Sequence, residues 1–215
     1  MDNSILWKNE TEKMDNGLVS FLVNKTVTGF DFHKKSCVDK IVKTIKTTRW
    51  QDKFTNRGFV FALLYSFDAK IIEIKFSLMC QALDSLYFQI SKNNKTDNFG
   101  DKIKYVFKYV YGRKMRKKTS NALRIIRDDV MHTGEIMGIA ASRKSLKDSN
   151  TLKSYFEEIN RPKQQKTSDV QDIISLASSF NYLMEEIVLR ILGLGDDSFE
   201  FNLNPPSHLN YFEKK

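Results

Sequence analysis

Apolar residues recur at intervals of three and four positions through most of the chain after Lys34, and this spacing is typical of amphipathic helices. The longest runs predict helices over 68–90, 119–132 and 169–192. Shorter apolar runs lie at 36–46, 54–67 and 152–159. The apolar stripe of the first long run is wide, so we expect this helix to be central and largely buried. Together the runs predict an all-α bundle of about five or six helices.

Polar side chains that can cap a helix precede two of the long runs. Thr119 or Ser120 is expected to begin the second helix, and Ser168 or Asp169 is expected to begin the third. Glycines weaken the second helix after His132. Segments rich in turn-forming residues predict loops at 91–101, 142–150 and 162–167.

The two ends of the chain do not carry this helical pattern. Residues 18–23 and 27–32 are short β-branched or aromatic runs, which fit either a small β-hairpin or an irregular extension. The last residues include a Pro-Pro pair, and we expect them to form an extended tail. The predicted organisation is an N-terminal extension, a helical domain and a C-terminal tail, at 1–33, 34–195 and 196–215.

The composition argues against several classes of protein. Nine glycines and three prolines are too few for a β-sandwich or a barrel of many short strands. The two cysteines, Cys37 and Cys80, exclude a disulfide scaffold and a Cys-rich zinc site, and we expect both to face the core. With three histidines, and no carboxylates clustered at metal-binding spacing, no metal and no cofactor are expected.

The chain carries no recognisable export or membrane signal. Its first residues are polar and acidic, and they lack the basic and apolar regions of a signal peptide. No apolar run reaches the roughly eighteen residues that a membrane span requires. A cytoplasmic location without membrane contact is therefore expected.

Lysine and arginine outnumber aspartate and glutamate by 35 to 26, which gives a formal net charge of +9. Either a polyanionic partner or a surface with surplus lysine accounts for this excess. Basic residues concentrate at 102–118, where they alternate with tyrosine and phenylalanine. Such cations can contact phosphates and such rings can stack on bases, but core aromatics beneath a solvated face give the same pattern. The candidate RNA-binding residues are Lys108, Arg113, Lys114, Arg116, Lys117, Lys118 and Arg124.

The segment 124–132 carries the residues best suited to chemistry, because Arg127 is followed five positions later by His132. Arginine can bind a scissile phosphate and oppose the charge that develops in the transition state. Histidine can exchange a proton with a ribose 2′-hydroxyl or with a leaving oxygen, so RNA can be cleaved without a metal. The same spacing also fits a surface Arg–Asp pair and a histidine hydrogen-bonded at a helix end.

Helical geometry separates these two side chains. Five residues advance a helix by about 500°, which places Arg127 and His132 about 140° apart around the axis. Asp128 is four residues from both His132 and Arg124, so it can either orient the imidazole or pair with Arg124.

Two features resemble the HEPN superfamily (higher eukaryotes and prokaryotes nucleotide-binding domain). Arg127, Asp128 and His132 are similar to its Arg-x4–6-His motif, in which a polar residue follows the arginine. Arg49-Trp50-Gln51 and the run 67–87, with its Lys-Phe and Gln-Ala-Leu-Asp sequences, resemble the Apea-like branch of that superfamily.

The resemblance covers roughly residues 40–195 and implies a helical bundle that dimerises, with two copies of the motif in one cleft. Active members are metal-independent endoribonucleases, often of phage-defence, abortive-infection or toxin–antitoxin systems. By this resemblance Arg127 would contact the phosphate, His132 would act as acid or base, and Asp128 would support them. RNA, a second copy of the chain and a regulatory protein or ligand would be the partners. The alternative is a catalytically inactive module of the same fold that binds RNA, a nucleotide or a protein.

Overall fold

The structure, a computed structural model, describes Lys43 and residues 57–91, 96–141, 145–160 and 168–193. The last four of these ranges contain six helices and no strand, which confirms the predicted all-α fold. In chain order they are α1 (Arg57–Asp68), α2 (Ile72–Ile90), α3 (Phe99–Tyr111), α4 (Lys117–Thr133), α5 (Leu146–Asn160) and α6 (Asp169–Ile191).

Helix α2 is central among the described helices, because it packs against α1, α3, α4 and α6. Its buried side chains include Phe76, Met79, Leu83 and Leu86, which recur every three or four residues. This spacing turns one wide face of α2 into the core, as its apolar stripe predicted. Each apolar side chain of this size stabilises the fold by about 1.5–3 kcal/mol when it is fully buried.

An aromatic cluster joins α2, α3 and α6. The ring centre of Phe180 lies 5.6 Å from that of Phe76 and 6.4 Å from that of Phe99, and both contacts are edge-to-face. All three rings are buried. Because Phe99 is the first residue of α3, this cluster fixes the start of α3 against the other two helices.

Helices α2, α3 and α5 begin at positions that differ from the prediction. Helix α2 begins at Ile72 rather than at 68, because α1 continues to Asp68 and the chain turns between the two helices. Helices α3 and α5 begin at Phe99 and Leu146, inside segments that were predicted to be loops.

The starts of α3 and α5 have a common physical explanation. Asn98 Oδ1 accepts a hydrogen bond from the backbone N–H of Asp101 at 3.3 Å, and Ser145 Oγ accepts one from the N–H of Asp148 at 3.1 Å. Asparagine and serine are frequent in turns and at helix caps for the same reason, since their side chains bond nearby backbone groups. Their presence alone did not distinguish a loop from a helix start.

The predicted cap of α4 is wrong. This helix begins at Lys117, and Arg116 precedes it without a side-chain capping bond. Thr119 and Ser120 lie buried within its first turn, where Ser120 Oγ donates to the backbone oxygen of Lys117 at 3.0 Å. The apolar pattern begins only at Ala122, so the first turn of the helix carries no periodic signal.

The end of α4 and the start of α6 agree with the prediction. Gly134 adopts a left-handed φ of 77°, and its N–H donates to the backbone oxygen of Val130 at 2.8 Å. Ser168 Oγ accepts a hydrogen bond from the N–H of Gln171 at 3.2 Å and so caps α6. Glycine end caps and serine start caps are specific enough signals to be recognised in a sequence.

Several predicted features lie outside the described residues. These are the hairpin or extension at 1–33, most of the helix at 36–46, the cysteine at 37, the connector at 162–167 and the tail at 196–215. Within the described part, Cys80 is buried as expected, and this burial raises the pKa of its thiol. None of the described helices combines the length and the apolar character needed to cross a membrane.

Candidate functional site

Helix α4 presents a polar face on one side and apolar residues on the other. The buried side contributes Ala122, Leu123, Ile125, Ile126 and Val130 to the core. The opposite face is at least partly exposed, and it carries Lys117, Asn121, Arg124, Asp128 and His132. These five positions follow the spacing of one helix face, so the predicted site residues on α4, with the exception of Arg127, largely share one surface.

Arg124 links α4 to α5 through two carboxylates. Its Nη1 donates to Asp128 Oδ2 at 3.0 Å, and its Nη2 donates to Asp148 Oδ1 at 3.1 Å. The side chains of all three residues are partly exposed. Arg124 therefore holds the two helices together in this structure, and an RNA phosphate would have to compete with two carboxylates for it.

Arg127 is held by three neighbours. Its Nη1 donates to Asp128 Oδ1 at 3.0 Å, and its Nη2 lies 3.9 Å from Asp84 Oδ2. Its guanidinium carbon lies 5.4 Å from the centre of the Phe99 ring, within cation–π range. The Nε atom is buried and has no hydrogen-bond partner within the described residues. About one third of the side chain is exposed, so the arginine is anchored but open to solvent on one side.

Asp84 lies between two cations. Lys102 Nζ is 3.1 Å from Asp84 Oδ1 on one side, and Arg127 approaches Oδ2 on the other. Lys102 is buried, and its Nζ also lies 4.9 Å from the centre of the Phe88 ring. A buried lysine needs a partner charge, which Asp84 supplies. The pair also places a carboxylate from α2 beside Arg127.

Sequence reasoning did not assign Asp84, Lys102 or Phe99 to the site. Asp84 had a usable signal, because it is the one carboxylate in an otherwise apolar or neutral stretch from Leu78 to Ile90. Such a residue on a helix that is buried over much of its surface must find a cation. Which cation it finds depends on how α3 and α4 pack on α2, and the sequence pattern does not specify that packing.

His132 lies in the last turn of α4 and is exposed. It makes no hydrogen bond or ion pair with the described residues, and no contact joins it to Arg127. Both oxygens of Asp128 are engaged by the two arginines, so this carboxylate pairs with Arg124 and does not hold the imidazole. A single chain therefore presents an anchored guanidinium and an exposed imidazole on different sides of one helix.

The predicted basic residues fall into two groups. Lys108, Arg113, Lys114 and Lys117 are exposed. Arg116 and Lys118 both bind Glu158 of α5 and so secure the start of α4. These bonds lower the pKa of the Glu158 carboxyl, with the hydrogen bond from Lys118 as the largest cause.

A groove of about 420 Å³ lies between the exposed side of α3 and the chain that leads into α4. Its lining includes four lysines and one carboxylate, from Lys104, Lys108, Lys114, Lys117 and Asp101. Tyr105 and the buried Met115 also line it. The structure thus gathers three of the seven predicted RNA-binding residues, namely Lys108, Lys114 and Lys117, in one concave surface.

The aromatic residues of α3 differ in their environments. Phe107 is fully buried, and the Tyr105 ring packs edge-to-face on Tyr87 at 5.5 Å between ring centres. Tyr109 is 63% exposed. The core interpretation of these aromatics therefore holds for Phe107 and for most of Tyr105, but not for Tyr109.

Among the described residues, no group of three or more histidine, cysteine, aspartate or glutamate side chains is placed to hold a metal ion. No protein-family model matches the chain, and no curated protein or solved structure matches it significantly. Any functional assignment therefore depends on the residues of this chain themselves.

Proposed function

We propose that the chain is a metal-independent endoribonuclease that cuts RNA at a composite site, with Arg127 from one copy and His132 from a second. The observation that carries the proposal is the arrangement on α4 described above. One chain offers an anchored arginine and an exposed histidine about 140° apart around the helix axis. A symmetric dimer in which the C-terminal ends of the two α4 helices lie next to each other would bring the arginine of one copy towards the histidine of the other.

Arg127 is suited to binding a phosphodiester. Asp128, Asp84 and Phe99 restrict its position, so little side-chain freedom is lost when a ligand binds. The 3.9 Å separation from Asp84 Oδ2 is too long for a hydrogen bond, which leaves donors on Nη2 available. A guanidinium in this state can bond a phosphate oxygen and stabilise the charge that builds up during displacement.

His132 is suited to proton transfer because it is exposed and has no competing partner within the described part. In the proposed reaction the imidazole takes the proton of a ribose 2′-hydroxyl, and the resulting oxygen attacks the neighbouring phosphorus. The bond from phosphorus to the 5′-oxygen breaks, and that oxygen takes up a proton from an imidazolium or from water. The products are a 2′,3′-cyclic phosphate and a 5′-hydroxyl, and the reaction requires no metal.

The family resemblance also suggests a biological setting. We include in the proposal a role in anti-phage defence, abortive infection or a toxin-like system, where a partner protein or ligand restrains the activity. The net charge of +9 and the exposed lysines support RNA as the polyanion that the protein contacts.

The test is cleavage of RNA in EDTA by the wild type and by the Arg127→Ala and His132→Ala variants, with analysis of the new ends. We expect each variant to lose activity by about 10²-fold or more. Arg190→Ala and His208→Ala are matched controls that should keep wild-type activity. Cleavage that survives both α4 substitutions would exclude this site.

Mixing the two inactive variants tests the composite arrangement directly. If each site takes arginine and histidine from different copies, an equimolar mixture forms mixed dimers with one intact site, and it recovers about a quarter of the wild-type activity. If both residues act within one chain, the mixture stays inactive. Native mass spectrometry of the same mixture checks that mixed dimers form.

A module that binds RNA without cutting it is the second candidate. It is favoured by the engagement of both Asp128 oxygens and by the two carboxylates that already neutralise Arg127. RNA that stays intact while binding tightly to the wild type would support this candidate over the nuclease.

A further inference from the structure

The groove between α3 and the start of α4 has an unbalanced charge. Among the described residues, four lysines line it, and Asp101 is the one carboxylate in that lining. Asp101 pairs with Lys104 at 2.5 Å. Lys108, Lys114 and Lys117 have no carboxylate partner within the described residues. Like charges that share a concave surface repel one another. A bound anion would reduce this electrostatic repulsion and so would bind favourably.

The groove is large enough for more than a single ion. Its volume of about 420 Å³ falls in the range of roughly 300–1,000 Å³ that is typical of ligand sites in proteins. Lysines contact phosphates as point charges without selecting a base sequence. The lining therefore suits a ligand that carries several phosphates in a row.

Tyr109 adds a second, independent feature. It lies outside the lining itself, but it directly follows Lys108 on α3 and is about 40° around the helix axis from Tyr105, and both of these residues line the groove. Its side chain is 63% exposed. Its ring contacts no other aromatic ring of the described part. By contrast, the neighbouring Tyr105 donates its hydroxyl to the backbone oxygen of Ile90 at 3.4 Å and packs against Tyr87. Exposed aromatic rings beside a cationic groove are the combination by which proteins hold single-stranded nucleic acid.

We propose that this groove binds the backbone phosphates of single-stranded nucleic acid, with Lys108, Lys114 and Lys117 on the phosphates and Tyr109 stacked on a base. This inference deepens the proposed function and rests on it in taking the bound strand to be the RNA that is cut. Sequence reasoning treated the basic residues as one patch, whereas the structure separates the groove lysines from Arg116, Lys118 and Arg124, which bind carboxylates.

The groove and His132 belong to one surface of α4. Lys117 lies at the first turn and His132 at the last, about 22 Å apart along the axis and about 60° apart around it. Asn121 and Asp128, which are both partly exposed, lie between them on the same side of the helix. A strand that is anchored at the groove can therefore continue along α4 to the imidazole without crossing the core.

The test measures binding of fluorescein-labelled oligouridylate and of oligodeoxythymidylate of equal length. All groove substitutions are made in the His132→Ala background, so that the strand stays intact. We expect the double variant Lys108→Gln/Lys114→Gln to bind both strands more weakly. The slope of log affinity against log salt concentration should become shallower by about 1.4, because two phosphate contacts are lost. Lys153→Gln removes an exposed charge on α5 and should bind as the parent does.

Tyr109 is tested in the same assay. Tyr109→Ala should weaken binding by about 5- to 150-fold, whereas Tyr109→Phe keeps the ring and should bind normally. Wild-type affinity in both the double lysine variant and Tyr109→Ala would overturn the proposal. It would also be overturned if tripolyphosphate bound at the groove while neither oligonucleotide did.

Cleavage assays with the same substitutions in the otherwise wild-type chain separate this inference from the proposed function. If the oligonucleotides bind in a manner that depends on the groove residues but RNA is not cut, the groove proposal is supported and the nuclease proposal fails. If RNA is cut in a manner that depends on Arg127 and His132 while groove substitutions change neither affinity nor KM, the nuclease proposal stands and the groove proposal fails.

Discussion

Arg124 Nη1 donates a hydrogen bond to Asp128 Oδ2 at 3.0 Å, which engages the carboxylate that lies one helical turn before His132. The other oxygen of the same carboxylate accepts from Arg127. Asp128 is thus placed to orient two arginines and not the histidine. If the proposed site is correct, Asp128 is a positioning residue that acts through Arg127.

This relationship predicts the effect of removing the carboxylate. Asp128→Ala should lower the rate of RNA cleavage at saturating substrate by up to about 10²-fold, because Arg127 loses its best-oriented partner. Arg127→Ala should abolish more of the activity than Asp128→Ala does. The control is Asp148→Asn, which weakens the other bond of Arg124 and leaves the Asp128–Arg127 pair intact. Equal losses in the Asp128 and Asp148 variants would contradict a specific role for Asp128.

The aromatic cluster under Arg127 predicts a large effect on stability. Phe180→Ala should lower the free energy of unfolding by about 3–5 kcal/mol, since it removes a fully buried ring that contacts Phe76 and Phe99. Tyr109→Ala removes an exposed ring and should change stability by less than about 0.5 kcal/mol. Chemical denaturation of the two variants measures both values. Similar losses in the two would mean that α3 and α6 do not pack as described.

The sequence predicted the fold more fully than the site. The apolar spacing of α2 and the serine and glycine at the ends of α6 and α4 are local signals, and local interactions decide those features. The start of α2 was mispredicted because apolar residues continue through the turn at Ala69–Ile71, with no glycine or proline to mark the break.

The candidate site depends on contacts between helices, which no local pattern specifies. The sequence places Arg127, Asp128 and His132 on one helix, and helical geometry alone separates the arginine from the histidine. The sequence does not indicate that Asp84 of α2 lies beside Arg127, or that Asp148 of α5 binds Arg124. Likewise, the spacing of Tyr105 and Tyr109 is helical for both, and only the packing of α3 partly buries Tyr105 and leaves Tyr109 exposed.

The bonds from Arg116 and Lys118 to Glu158 predict a pH dependence of stability. The pKa of Glu158 is lowered in the folded chain, so its contribution is present at neutral pH and is lost as the pH falls through the folded-state pKa. Glu158→Gln should therefore be less stable than the wild type at neutral pH, by less than about 1 kcal/mol because all three groups are at least partly exposed to solvent.

Thermal denaturation of Glu158→Gln and the wild type across the acid range checks this prediction. The difference in melting temperature between the two proteins should shrink as the pH falls, and it should vanish where the Glu158 carboxyl of the wild type is protonated. Glu157→Gln changes the neighbouring exposed carboxylate and is the matched control. If the difference in melting temperature between Glu158→Gln and the wild type stays constant into strong acid, packing rather than charge causes it.

Gly134 ends α4 two residues after His132, and its backbone conformation predicts that a substitution there lowers the stability of the fold. With φ at 77°, an alanine there is strained even though no atom lies within 4 Å of the added Cβ. Gly134→Ala should lower the free energy of unfolding by about 1–2 kcal/mol. Gly134→Asn should cost less, because asparagine tolerates the left-handed region. Gly193→Ala, at the end of α6, is an equivalent substitution away from the site, with φ at 74° and similar open space.

The two alanine variants should therefore lose similar stability, but they should differ in function. A helix that cannot end at Gly134 changes the path of the chain beside His132, so Gly134→Ala should also slow RNA cleavage, by up to about 10²-fold. Gly193→Ala should cut RNA at the wild-type rate wherever it is folded. Equal activity of the two variants, at equal folded fraction, would show that the last turn of α4 does not position a catalytic group.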